Sequence, residues 1–147
     1  MIRPATIDDA ALFAAIEAQS FTHRPWTLAM FQAALHDPLY TFFVARREGG
    51  VVGFGCVKHA GTEAEIDDIA VAEPFRRQGV ASALLNALLD EARSRGAGQV
   101  FLEVGALNAP AVALYQKHGF QSVSVRKNYY GEGKDALVLK CIFQNKQ

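Results

Sequence analysis

Residues 80–95, VASALLNALLDEARSR, constrain the fold most. Val80, Ala81, Leu84, Leu85, Leu88, Leu89 and Ala92 recur at helical spacing and form one apolar stripe. Arg93 and Arg95 in the last turn, with Gly96 after it, close the helix as its dipole and a left-handed cap favour. β-like runs flank it, EAEIDDIAV (63–71) before and QVFLEVG (99–105) after. A helix with such a stripe must cover an apolar sheet face, so the chain reads as an α/β (α+β) protein built on a central sheet.

The rest of the chain fits that reading. IRPATIDDAALFAAIEAQSF predicts a short strand and a helix, with Thr6 and Asp9 as a weak capping pair and Leu12, Phe13 and Ile16 on one face. After the loop THRPW, Thr27 caps a second helix, TLAMFQAAL. YTFFVARREGGVVGFGCVKH reads as a hairpin around Gly49-Gly50. NAPAVALYQKHG is a short helix with Asn108 as cap, Pro110 in the first turn and Gly119 as terminator. FQSVSVRKNYY, the turn GEGK and DALVLKCIF make a closing hairpin. The order is β-α-α-β-β-β-α-β-α-β-β, one domain over 1–147 with residues 144–147 a frayed tail. The pattern alone does not set the strand pairings.

Composition excludes several classes. Lys plus Arg and Asp plus Glu are 15 each, so no global charge favours nucleic acid or an anionic membrane. The opening MIRPATIDDA has no basic-then-apolar leader, and no apolar run nears the ~18 residues of a membrane span. A cytoplasmic protein is expected. Cys56 and Cys141 stand alone in apolar runs, without CxxC or a His pattern, and read as buried free thiols rather than zinc ligands. The acidic run Glu63, Glu65, Asp67 and Asp68 lacks the spacing of a cation loop. Strand alternation puts Glu65 and Asp67 on one face and Asp68 on the other, all reading as solvated carboxylates, with a secondary pull of Asp67 or Asp68 on a cationic amine left open. His59 and His118 have no Ser or Cys partner pattern and take no nucleophilic role.

Chemistry concentrates at PFRRQGVAS (74–82). A helix N-terminus offers unpaired N–H groups and a positive dipole end, which suit phosphate oxygens. Gly79 and Ala81 keep side chains out of the way, and Arg76 and Arg77 add positive charge. An ordinary helix start is the competing reading of this stretch alone. It is neither Walker A nor G-x-G-x-x-G.

The segment IAVAEPFRRQGVASALLNAL resembles the acetyl-CoA-binding segment of the GNAT acyltransferase superfamily, whose [RQ]-x-x-G-x-[GA] loop is met by Arg76, Gly79 and Ala81. LEVGALNAPAVALYQKHGF looks like that superfamily's second hallmark block, and RKNYYGEGKDALVL like the closing block of N-terminal protein acetyltransferases. Within these, the chain is most similar to the bacterial ribosomal-protein alanine N-acetyltransferases, whose PW element is met by Pro25-Trp26. The matched blocks cover about residues 20–30 and 64–140. The resemblance implies the GNAT acyl-CoA N-acyltransferase fold, a central mixed, mostly antiparallel sheet flanked by helices. It implies acetyl-CoA as co-substrate, no metal, and direct transfer in a ternary complex to a protein N-terminal α-amine, the alanine of a ribosomal protein being the leading acceptor. Two departures stand out: Ala81 where the loop often has Gly, and Gly105 where the subgroup usually carries Arg.

Acetyl transfer from a thioester needs the amine deprotonated, the oxyanion stabilised and the thiolate accommodated. Glu103, a carboxylate in the apolar strand VFLEV, is the candidate base, acting through water; a solvent-facing strand carboxylate is the plainer reading of the strand alone. Tyr115 is the candidate acid, and a core tyrosine packed with Ala111 and Leu114 is its plainer reading. Asn108 and Tyr115 are seven residues apart, roughly 10 Å along one helical face, so Asn108 could hold the pantetheine arm. The resemblance assigns both catalytic roles. It also implies main-chain contacts to the pantetheine from Ile69, Ala70 and Val71, and a pyrophosphate cradle of Arg77, Gln78, Gly79, Val80, Ala81 and Ser82. A main-chain donor near Val71 would steady the oxyanion. Trp26, Tyr129 and Tyr130 are candidate walls of an acceptor cleft, or hydrophobic anchors for loops. Rival functions are a small-molecule amine acetyltransferase, which a deep acidic pocket would favour, and a non-catalytic acyl-CoA-binding module.

Overall fold

The computed structural model describes residues 1–21 and 24–144. Thr22 and His23 of the expected loop, and 145–147 of the expected tail, lie outside the described residues. The elements are β1 (Ile2–Pro4), α1 (Ala10–Ser20), α2 (Leu28–His36), β2 (Tyr40–Arg47), β3 (Gly50–Ala60), β4 (Glu63–Val71), α3 (Val80–Ser94), β5 (Gln99–Gly105), α4 (Ala109–Lys117), β6 (Gln121–Arg126) and β7 (Ala136–Ile142). The expected element order holds throughout, and short 3-10 turns precede α1 and α3.

The strands form one sheet in the order β1-β2-β3-β4-β5-β7-β6. Every pairing is antiparallel except β4 with β5. β7 inserts between β5 and β6, which the sequence pattern did not reveal. The sheet has an apolar core on each face. On one side Phe13 of α1 and Phe31 of α2 meet Phe42, Val44 and Phe54; Phe13 stacks on Phe54 at 4.4 Å and Phe31 meets it edge-on at 5.3 Å. Leu85, Leu88, Leu89 and Ala92 of α3 pack on Val57, Val100, Leu102 and Leu139 across the other face. The helix lies close because Gly55 carries no side chain: a Cβ there would sit 2.9 Å from Leu88 Cδ1 and 3.2 Å from Ile69 Cγ1.

Helix starts follow the sequence. Thr27 Oγ1 accepts from Met30 N–H at 3.2 Å, and Asn108 Oδ1 accepts from Ala111 N–H at 3.3 Å. Ahead of α1, Thr6 N–H donates to Asp9 Oδ2 at 2.8 Å, and Arg3 braces the same carboxylate at 3.1 Å. One expectation fails in α1. Leu12 is 48% exposed, and the buried stripe is Ala10, Phe13, Ile16 and Glu17. Those residues are spaced three, three and one apart and define the stripe's centre, whereas Leu12 falls beside it.

This packing sets a contrast in stability. Phe13→Ala should cost about 3–5 kcal/mol, because a fully buried ring in an aromatic cluster leaves a cavity. Leu12→Ala should stay within about 0.5 kcal/mol of wild type. Urea unfolding followed by circular dichroism checks both, and equal losses would contradict the assignment of faces.

Candidate active site

β4 and β5 are paired only from Glu63/Gln99 to Ile66/Leu102, although β4 runs on to Val71 and β5 to Gly105. On the far side of β4 the register with β3 slips at the same place. Cys56 faces Asp68 and Val57 faces Ile66, leaving Asp67 as an extra, bulged residue. The bulge turns β4 away from β5. The gap is a cleft of about 670 Å³ through the sheet, lined by Glu17 and Trp26 from the α1–α2 side and by Asn108 and Tyr115 of α4.

Glu103, Tyr115, Asn108, Ile69, Trp26, Tyr129 and Tyr130 all line this cleft, as a shared site requires. Ala70 and Val71 are buried beside it, so only their main chain can serve a ligand. Tyr115 packs edge-on against Phe120 at 5.9 Å, and burial pushes its phenol up to about 12. It therefore stays protonated near neutrality. Asn108 spends its carboxamide oxygen capping α4 and keeps its amide donors for a ligand. Tyr129 and Tyr130 stack edge-on at 5.0 Å, with Arg126 4.2 Å and Arg24 5.1 Å from the Tyr129 ring. At Gly105 a Cβ would sit 3.8 Å from the Tyr130 ring, in ordinary contact, so a longer side chain there would run along that ring.

The loop before α3 is a second station, outside the lining of the cleft and joined to it by the end of β4. Arg77 and Gly79 both adopt left-handed backbone, φ 62° and 81°. Successive amides in such turns form an anion-binding concavity. The first intrahelical bond of α3 runs from Ala83 N–H to Gly79 O at 3.0 Å, so the amides of Val80, Ala81 and Ser82 have no intrahelical acceptor. A Cβ at Gly79 would meet nothing within 4 Å, which leaves that space for a ligand. Arg47 clamps Gln78 through its side chain (2.9 Å) and its carbonyl (3.1 Å). Ser82 Oγ pairs with His118 Nε2 at 2.8 Å, tying α3 to α4. This backbone fits a pyrophosphate. Arg76 does not serve as free charge: its Nε donates to Val71 O at 2.8 Å and its Nη2 to Ser20 Oγ at 3.2 Å, bracing the end of β4 against α1.

The acidic run also departs from expectation. Because of the bulge, Asp68 shares a face with Glu65 instead of opposing it, and Glu65, Asp67 and Asp68 all line the cleft. Asp68 is buried, and Asp67 Oδ2 accepts from Tyr40 O–H at 2.8 Å, so neither is a solvated strand carboxylate. A hydrogen bond with Asp67, then partial burial, pushes the Glu65 carboxyl up to about 8. Among the described residues no three His, Cys, Asp or Glu side chains converge as a metal would need, and no helix is long and apolar enough to cross a membrane.

Several site residues escaped the sequence reading. Arg126 donates to Glu103 Oε1 at 2.6 Å, an approach that depends on β7 lying between β5 and β6. Glu17 Oε2 accepts from the Trp26 N–H at 2.9 Å, and nothing in a helical stripe marks that role. The Pro-Trp pair after α1 is the nearest signal.

The fold, the parted strands and the helix-start cradle together define an acyltransferase. The profile of the GNAT acetyltransferase family matches residues 10–120, and the chain belongs to that family. Its members are acetyltransferases that draw on acetyl-CoA. Over 118 residues the chain is 36% identical to the ribosomal protein bS18-alanine N-acetyltransferase of Escherichia coli K12, covering 78% of this chain and 79% of that protein. It is 37% identical over 138 residues to the N-alpha-acetyltransferase RimI of Mycobacterium tuberculosis, covering 90% and 85%. The crystal structure of the E. coli ribosomal-protein-S18-alanine N-acetyltransferase superposes with a TM-score of 0.90 at 30% identity, over 100% of this chain and 96% of that one. That of Ard1 from Thermoplasma volcanium gives 0.90 at 33%, over 99% and 98%.

The Glu65 carboxyl gives the fold a pH dependence. Its value lies near 4.3 in an unfolded chain and about 8 here, so the native state holds the extra proton between them. Stability from this group is complete below about 4.3 and is lost as pH rises to about 8; the exposure of Glu65 makes the slope shallow. Glu65→Gln should therefore gain stability relative to wild type between pH 5 and pH 8. Thermal midpoints at both pH values check this, and an unchanged difference would contradict it.

Proposed function

We propose that this chain, as a single domain, moves the acetyl group of acetyl-CoA onto the α-amine of a protein N-terminus while both substrates are bound. The acceptor we infer is the N-terminal alanine of a ribosomal protein. The observation that carries the reading is the cleft itself, with Glu103 on β5 and Tyr115 on α4 lining one passage through the sheet. The bS18-alanine acetyltransferase named above supports the acceptor, and Trp26, Tyr129 and Tyr130 supply the aromatic walls a peptide would lie against.

The cradle of residues 77–82 would hold the pyrophosphate, and the main chain of Ile69, Ala70 and Val71 with the Asn108 amide would hold the pantetheine arm. Acetyl-CoA brings a thioester whose carbonyl an amine can attack. An N-terminal ammonium near its ordinary value of about 8 must first lose a proton. Glu103 accepts it through Oε2, by way of water, while Arg126 fixes Oε1. Backbone N–H near Val71 steadies the charge that develops on the carbonyl oxygen. Tyr115 meets the departing sulfur. Its phenol at about 12 is a weaker acid than a thiol near 8.5, so full transfer runs uphill. Its main contribution is a hydrogen bond that strengthens as charge grows on sulfur.

Acetylation in the cytoplasm, with no nucleic acid or membrane engaged, completes the reading. The acidic lining suits any cationic amine, so polyamines are the rival acceptors. CoA release should be followed with alanine-initiated peptides of ribosomal sequence and with polyamines. Wild type should prefer the peptides. Glu103→Gln and Tyr115→Phe should each lower kcat by about 10²- to 10³-fold, with the KM for acetyl-CoA little changed. Turnover of polyamines alone would remove the protein acceptor, and wild-type rates in both variants would remove the assigned roles.

A further inference from the structure

Two carboxyl groups that line the cleft form no ion pair among the described residues. Glu17 of α1 is 3% exposed and Asp68 of β4 is 8% exposed. Glu17 Oε1 and Asp68 Oδ2 are buried without a donor in reach. Two ionised carboxylates are acceptors only, and such oxygens cannot satisfy each other. One proton between them would, and after burial Glu17 is the group that most raises the Asp68 carboxyl.

The second oxygen of Glu17 has another task. Oε2 accepts the Trp26 N–H at 2.9 Å, across the base of the connection between α1 and α2. Trp26 packs its ring on Phe31 at 5.2 Å and meets Tyr40 at 6.1 Å, and it forms one wall of the cleft. A continuous chain thus runs from β4, through Asp68 and Glu17, to the Trp26 backbone. The Asp67 bulge creates it, because without the extra residue Asp68 would face α3 instead of α1.

We propose that Glu17 and Asp68 form a proton-sharing carboxyl pair that positions the Trp26 wall of the acceptor cleft on strand β4. The pair touches neither the thioester nor the amine in this account, so both are positioning residues. The proposal rests on the peptide-acceptor reading above. Burial first, and then Glu17, hold the Asp68 carboxyl far above the usual carboxylate range, as a protonated donor requires. Among the described residues Asp67, Cys56, Tyr115 and Tyr130 also bear on the pair, and Arg24 and Lys134 line the same cleft.

Isosteric substitution separates a protonated donor from a charged receptor for the acceptor ammonium. In Asp68→Asn the amide still donates to Glu17, so the KM for an alanine-initiated peptide should stay within about threefold of wild type, less than one ordinary hydrogen bond makes. Asp68→Ala and Glu17→Ala should raise that KM about tenfold to a hundredfold, as the loss of a hydrogen bond to a charged group does, with the KM for acetyl-CoA little moved. Trp26 is the sole tryptophan, so its emission reports the same event without turnover. Emission should match wild type in Asp68→Asn and shift red in the alanine variants. If an alanine variant does not fold, Asp68→Asn and Glu17→Gln, each able to keep the bond, carry the test in both readouts. A loss of peptide binding in Asp68→Asn equal to that in Asp68→Ala overturns the proposal and makes Asp68 a charge receptor. Wild-type emission and KM in Asp68→Ala overturn it as well. Should wild type turn over no peptide, the functional reading fails, and the emission series still decides whether the pair holds Trp26.

Discussion

The parting of β4 from β5 after Ile66 and Leu102 is the constraint on which the rest depends. Two parallel strands in a sheet normally stay paired, because an unpaired buried N–H or C=O costs free energy. Here both strands continue for several residues without each other. The bulged residue Asp67 makes this possible by bending β4 while its ladder with β3 survives on either side. Ile69, Ala70 and Val71 are thereby left without a partner on β5. The same bend brings the end of β4 to the first turn of α3, where Arg76 locks it by donating to Val71 O. The cleft and the loop at the start of α3 are thus joined along the end of β4.

The bulge also organises charge. It gathers Glu65, Asp67 and Asp68 with Glu17 and Glu103 around the passage, in a chain whose formal charge is zero. Such a wall draws an ammonium ion toward the cleft. It is also costly, and the protein meets the cost by keeping protons: Glu65 is pushed up to about 8, and Asp68 is held higher than the usual carboxylate range. Glu103 stands apart because Arg126 pairs with it at 2.6 Å and fixes its orientation.

Much of this was legible in the sequence, for stated physical reasons. Helical stripes, caps at Thr27 and Asn108 and the Gly79 turn are local, and the chain folds them as its pattern requires. For Glu103 and Tyr115 the pattern alone favoured a solvent-facing carboxylate and a core tyrosine, and only the resemblance singled them out; the structure lines one cleft with both. Three features were not legible. The insertion of β7 between β5 and β6, which brings Arg126 to Glu103, is a non-local choice with no short-range signal. The bulge at Asp67 breaks the period of two on which face assignment relies, so Asp68 was given the wrong side. Arg76 was read as free charge because its partners, Val71 O and Ser20 Oγ, depend on how β4 meets α1.

The central claim is that one passage through the sheet holds both substrates together, so that acetyl moves directly from sulfur to nitrogen. Both cysteines are buried, and burial holds both thiols above their ordinary value, which suits neither to carry the acyl group. Initial velocities measured over a grid of acetyl-CoA and alanine-peptide concentrations test this most directly. The account requires intersecting double-reciprocal lines, the mark of a ternary complex. Parallel lines, with acetyl retained on the protein after CoA has left, would contradict it.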